Sequence, residues 1–379
     1  MLVLERMEMP RWKVCGACVG AGALSVIREV GLGDLAVAAG AVPLGELVVE
    51  SSRRRAVLPL VGGAAWSRAA MDEALLRAAE REGAICWTGA HARIGRAGAG
   101  HRVVQVRRGG GTFEVRARVV LDAAGLGGAP HPTGDRGSVR SDARIGIGAV
   151  IQNAELRRVG PPRAASHAEG ALELPLGRIH MVVGRHGYVG LVRLEDGTVD
   201  VAAAIDASLL RGGPPEEAVD GILRTAGMRL DGDLVHGWKG TPPLTRSAAR
   251  LAEPRLFRIG DAMGYVEPFT GEGIGWALAS ARAVAPLALR GIEGWEASLE
   301  RTWEAYGRGR AARARLLCRA VSRGLRRPTV VNGVLALLGR APVLAAPWVR
   351  HAGRVPAPPE TKGQGAAGPL GRGDGEEAA

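Results

Sequence analysis

The sequence predicts an α/β fold with an inserted antiparallel β-sheet and a C-terminal helical region. Three observations carry that reading. Residues 1 to about 125 alternate strand-like and helix-like patterns. Residues 140–245 are dominated by strands. From residue 255 a strand, a glycine-rich turn and a helix lead into a long helical stretch over 296–327. Alternation of strand and helix marks an α/β layer, whereas a block of consecutive strands reads as a sheet of its own.

The elements follow in chain order. "MLVLER" is a short apolar run that ends in charge, a strand with its end exposed. "SRAAMDEALLRAAEREGA" (67–84) spaces Ala70, Ala74, Leu75 and Ala78 along one helical face and stops at Gly83. "HRVVQVRR", "TFEVRA" and "RVVLDAAG" read as strands, the last of the continuous buried type. "IGIGAVIQ", "IHMVVGR", "GYVGLVRL" and "TVDVAAAID" continue the series, and "PEEAVDGILRTAG" supplies one helix among them. The expected division is 1–135 with 250–295 as one unit, 136–249 as a β-rich insertion and 296–353 as a basic helical region. The last stretch, 354–379, has the Pro/Gly/polar composition of a disordered tail.

A chain of 379 residues, 46% of them hydrophobic, buries a large core. Its four cysteines (Cys15, Cys18, Cys86 and Cys318) are too few and too scattered for a disulfide framework, so a reducing cytoplasm is expected. Cys15 and Cys18 form a C-x-x-C pair, but no second pair completes a metal site, and none of the eight histidines has ligand spacing. No apolar run approaches the roughly 20 residues of a membrane span, and no secretory signal pattern opens the chain.

The net charge of +12 is local. Residues 301–354 hold twelve arginines against one acid, Glu304. Only Lys13, Lys239 and Lys362 are lysine, which together with abundant Ala and Gly fits the coding bias of a GC-rich bacterial genome. No aromatic or polar base readers accompany the charge, so no nucleic-acid partner is expected. Arg308, Arg315, Arg319, Arg323 and Arg326 line one side of a helix, with Leu317, Val321 and Leu325 on a neighbouring side. Two readings stay open: a solvated face, or a peripheral contact with an anionic membrane surface into which "VVNGVLALLG" dips.

The densest signal is "RLFRIGDAMGYVEPFTGEGIGWALAS" (255–280). A buried strand delivers Asp261, Pro268 fixes a loop, and Gly271-Glu272-Gly273-Ile274-Gly275 opens an apolar helix. A helix start offers unpaired N–H groups and a positive dipole end, and glycines let a ligand reach that backbone.

This stretch resembles the second FAD-binding motif of the flavoprotein superfamily that contains geranylgeranyl reductases and single-component aromatic hydroxylases. The resemblance implies a Rossmann-like FAD-binding domain, with the β-rich insertion as substrate domain. It assigns Asp261 to the ribityl and phosphate region, Gly271, Gly273, Ile274 and Gly275 to the flavin's N1–C2=O edge, and Pro268 to the ring. Three further segments extend it over residues 2–325. "LVLER" is similar to the family's second strand, whose terminal acid, here Glu5, bonds the adenosine ribose. "PRWKVCG" looks like the family's P-R-x-K-x-C-G segment and places Arg11 and Lys13 on the cofactor. "SRAAMDEALLRAAEREGA" matches the helix whose leading arginine, here Arg68, lies on the cofactor side. Where the family commonly has Ala-Asp-Gly, this chain has Asp122-Ala123-Ala124-Gly125, so Ala124 replaces the acid.

A family member also carries a strand and a G-x-G-x-x-G turn about 20 residues before its ribose acid. Glu5 has no such unit ahead of it, so the first βα unit is read as missing, through a gene-start error or a real loss, and the 379-residue form is expected to hold FAD weakly.

Because no acid, base or nucleophile stands out, chemistry falls to the cofactor. The leading expectation is an FAD-dependent, monooxygenase-like oxidoreductase acting on an apolar or aromatic small molecule, with NADPH or NADH as candidate electron donor and Tyr188 as candidate substrate-lining residue. A flavin-dependent reductase of isoprenoid-like double bonds and a non-catalytic homologue unable to retain FAD stay open.

Overall fold

The computed structural model describes residues 1–131, 137–159, 171–267, 269 and 271–346, without the side chains of 171 and 310–317. The tail at 354–379, Pro268 and the side chains of Arg315 and Leu317 lie outside the described residues. Seven α-helices occur among them: α1 (Ala21–Glu29), α2 (Leu35–Ala38), α3 (Arg68–Arg81), α4 (Pro215–Thr225), α5 (Gly273–Glu293), α6 (Ala297–Leu325) and α7 (Pro328–Arg340). The expected helix over 67–84 is α3, opened by Ser67, whose hydroxyl accepts the Ala70 N–H at 3.1 Å.

The largest sheet has nine strands. Ile145–Arg158, Val199–Ile205, Gly187–Arg193 and Arg178–Gly184 run antiparallel in that spatial order, and Met228–Pro243 pairs with the first of them. Arg178–Gly184 then pairs in parallel with Val42–Ser51, which forms a hairpin with Arg55–Ala65. The sheet thus recruits residues 42–65 as well as the block read from the sequence. Two short parallel pairs stand apart: Leu2–Leu4 with Ile85–Trp87, and Val120–Asp122 with Leu256–Arg258. An antiparallel meander, His91–Ala117, buries Val104 and Val106 against Leu4, Trp87 and Val120.

Period-two alternation sorts the large sheet's side chains. Val182, Val189, Val201, Ala203 and Ile205 face α4, whose Val219, Ile222 and Leu223 close that core. Their neighbours Val183, Tyr188 and Ala204 face the other way, toward Val331 and Leu335 of α7. A third core stacks Phe257, Leu287, Trp303 and Tyr306 between α5 and α6, with the Trp303 indole donating to the Arg258 carbonyl at 2.9 Å.

Candidate functional site

The strand Leu256–Arg258 is fully buried and ends in a single 3-10 turn, Gly260–Met263, which carries Asp261. Helix α5 holds that turn: Gly260 N–H donates to Ser280 Oγ at 2.8 Å, and the same hydroxyl donates to the Ala277 carbonyl at 2.8 Å. The chain returns through Tyr265 to the glycine turn. Gly271 has φ +73°, and a Cβ there would lie 3.5 Å from the Cys18 carbonyl oxygen. Helix α5 begins at Gly273, where a Cβ would stand 3.1 Å from the Tyr265 ring and hydroxyl. Ile274 is partly buried and packs against the core between α1, α3 and α5. Burial, then the charge of Asp261, pushes the Tyr265 hydroxyl well above the usual phenol range, so it stays neutral.

The segment 10–18 crosses from this turn to α3. Glu5 donates its N–H to the Trp87 carbonyl at 2.9 Å, and its carboxylate lies 3.5 Å from Arg11 Nη2. Lys13 Nζ reaches Asp72 at 2.5 Å, and Arg68 grips the same carboxylate through Nε and Nη2 at 2.9 and 2.8 Å. Burial raises Asp72, but the hydrogen bonds and charges of Arg68 and Lys13 outweigh it and hold the carboxyl below its usual range. Lys13 and Arg11 are both lowered, first by burial, and Arg11 Nε is buried without a hydrogen-bond partner. Burial also raises Cys15 and Cys18, so both are thiols at neutral pH and the C-x-x-C pair is no ready nucleophile.

Beneath this segment runs the Tyr188 face of the large sheet. Gly148 lets it approach: a Cβ there would lie 3.3 Å from Val14 and 3.7 Å from Trp12. Gly16 comes within 4.0 Å of Ala202 Cβ in the same sense. Asp200 points to this side, buried, with Oδ2 unpartnered. Farther along, Tyr188 is buried edge-on to Phe269 (centroids 5.0 Å apart) and lies under the Arg144 guanidinium at 5.7 Å. Arg144 is completely buried between Asp206 Oδ1 at 3.1 Å and Glu267 Oε1 at 3.0 Å.

The structure therefore brings Glu5 to Arg11, Lys13 to Arg68, and the Gly271 turn to the backbone of Cys18. Tyr188 joins this group through Phe269, two residues before Gly271. Sequence reading missed Asp72, Arg144, Asp200 and Glu267. Asp72 was visible as the i+4 partner of Arg68. The other three become meaningful only when distant strands meet.

At the start of α5 a Cβ on Gly271 would meet Cys18 and one on Gly273 the Tyr265 ring, so these glycines keep the turn close-packed, while Glu272 accepts from the Cys318 thiol. The buried Arg11 Nε still needs an acceptor, which an oxygen of FAD would supply. Neither a protein-family model nor a curated protein matches the sequence. Among solved structures, a flavoprotein/dehydrogenase from Cytophaga hutchinsonii is 16% identical, with a TM-score of 0.69 over 93% of this chain and 90% of its own. The flavin-dependent brominase Bmp2 is 15% identical, with a TM-score of 0.69 over 93% of this chain and 86% of its own. The flavin-dependent halogenase CmlS is 18% identical, with a TM-score of 0.65 over 84% of this chain, which spans only 58% of that enzyme. The fold is the one these flavoproteins share.

Proposed function

We propose that the protein is an FAD-dependent oxidoreductase of the monooxygenase type, acting on an apolar or aromatic small molecule. The observation that carries this reading is the seating of the Gly271 turn against Cys18, above a sheet face that continues to Tyr188 and Phe269. FAD, when bound, supplies hydride acceptance and oxygen activation, with NADPH or NADH as the proposed electron source. The start of α5 offers backbone N–H groups to negative charge on the ring's N1–C2=O edge. Asp261 accepts bonds from ribityl hydroxyls, Glu5 from the ribose, and Arg11, Lys13 and Arg68 keep the intervening wall positive.

On the substrate side, Tyr188, Phe269, Val331 and Leu335 exclude water, and the neutral Tyr188 hydroxyl orients a polar substituent. Burial sets that neutrality, and the carboxylate of Glu267 adds to it. Such a wall favours an apolar substrate over a charged one, because the Arg144 charge beside Tyr188 is already shared between Asp206 and Glu267.

Titrating the full chain with FAD tests the reading. Saturable quenching of flavin fluorescence is expected, together with slow NADPH or NADH oxidation by the loaded protein. Flavin fluorescence that stays unchanged at millimolar protein, in a sample shown to be folded by circular dichroism, would sink the proposal.

A further inference from the structure

Helix α7 has two unlike faces. Val331 and Leu335 are buried against Tyr188 and Ala204, whereas Val330, Val334 and Leu337 recur at i, i+4 and i+7 on an adjoining side. Those three are 43%, 49% and 55% exposed, and the turn that follows adds Val343 at 73% and Leu344 at 53%. Five large aliphatic side chains in one short stretch make an apolar ridge without a partner among the described residues, which a lone exposed valine would not.

The ridge has a positive rim. Arg327 and Arg340 bracket α7, both exposed, and Arg323 lies one turn ahead. The tip of the Val42–Ala65 hairpin packs on another side of α7: Ser51 Oγ donates to Asn332 Oδ1 at 2.7 Å, and the Arg55 carbonyl lies under Gly339. At about 100° per residue both positions fall away from Val330, Val334 and Leu337, so exposed Arg53 and Arg54 are not part of the rim. No acid occurs in the sequence between Glu304 and Glu360.

Of the five-arginine stripe read from the sequence, Arg323 belongs to this surface. Arg326 is committed to Asp206 at 3.0 Å and to the Asp142 carbonyl at 2.6 Å, and Arg308 leans on Glu304.

We infer that this face of α7, with Arg327 and Arg340 at its ends and Val343 and Leu344 beyond it, docks on an anionic lipid surface. The shape fits a bilayer interface better than a protein groove. The apolar residues stand on a convex helix and turn and can sink among acyl chains, while arginines at their edge meet lipid phosphates. Each arginine close to an anionic surface strengthens partition about fivefold, and salt screens the effect over about 10 Å at 0.1 M. The inner face of the same helix walls the cluster around Tyr188, so docking brings that cluster next to the lipid. The inference stands without the flavin reading, since it uses only the exposed face and its charge.

Co-sedimentation of the full chain with vesicles tests it. Phosphatidylcholine vesicles with one-third phosphatidylglycerol should carry down most of the protein at low salt, and pure phosphatidylcholine at least tenfold less. Raising salt to about 0.5 M should release it, the Debye length then being only a few ångströms. Val334→Asp with Leu337→Asp should abolish binding, and because both side chains are exposed the variant should keep its circular dichroism spectrum and melting temperature. Arg327→Glu with Arg340→Glu should weaken binding by at least tenfold. Full recovery in the supernatant with anionic vesicles at low salt overturns the inference. So does undiminished binding of the double aspartate variant, and so does a dimer in solution that this variant dissolves, since a second copy would then be the occupant.

Discussion

Gly271 holds a φ of +73° beside Cys18, where a Cβ would make van der Waals contact 3.5 Å from the Cys18 carbonyl oxygen. Two segments more than 250 residues apart in sequence thereby meet in one wall of the candidate site. The conformation costs an L-residue roughly 1–2 kcal/mol, and a β-branched side chain would add contact with Cys18. Gly271→Val should lose about that much stability in urea and weaken FAD binding at least tenfold. If the variant is destabilised yet titrates with FAD like the wild type, the turn shapes the fold and does not seat the cofactor.

Asp261 sits on a turn that is held by Ser280 and Ala277 of α5. These two supporting bonds belong to Gly260 and the helix. Asp261→Ala should therefore lower FAD affinity while changing the melting temperature by no more than a few degrees. A large loss of melting temperature with FAD affinity intact would make Asp261 a structural residue.

The sequence made the glycine turn legible because its chemistry is local. Strand, acid, glycines and helix follow within 26 residues, and the predicted order is the observed one from Leu256 to Glu293. The helix α3 and the Arg68 end were legible for the same reason. What escaped was long-range pairing. Val42–Ser51 gives no hint in its own residues that it will run parallel to Arg178–Gly184. The apolar half of α7 reads as one hydrophobic string, and only the packing of Val331 and Leu335 shows which side is left outside. Arg144, Asp206 and Glu267 are spaced 62 and 61 residues apart, so no local pattern could join them.

Arg144 is completely buried with its charge shared between Asp206 and Glu267. Asp206 has a second partner in Arg326, whereas Glu267 relies on Arg144 and on Ser322, whose hydroxyl lies 3.2 Å away. Arg144→Met strands the Glu267 carboxylate and should cost about 3–5 kcal/mol. Adding Glu267→Gln removes the stranded charge, so the double variant should be less destabilised than the sum of the singles by about 1–3 kcal/mol. Strict additivity in urea denaturation would mean that the two side chains do not act as a pair.

Asp200 gives a pH signature of its own. Its carboxyl is buried on the sheet face beside Trp12, Cys15 and Cys18, and Oδ2 has no partner. Burial pushes it well above the usual carboxylate range, and the nearby Trp12 indole, whose N–H falls short of a hydrogen bond, opposes this only in part. In the unfolded chain the same group loses its proton near pH 4, about 3.9 for an unperturbed Asp. Between that pH and the raised folded value the native state binds one more proton than the unfolded state. Stability must then fall as pH rises through the window, by up to about 1.4 kcal/mol per pH unit. Asp200→Asn keeps the shape and removes the titration, so the variant should match the wild type near pH 4 and exceed it increasingly toward pH 7.5. Urea denaturation of both proteins at pH 4.5, 6 and 7.5 measures the difference. A difference that stays flat with pH would show Asp200 to be ionised in the fold, with a counter-charge that lifts its desolvation cost.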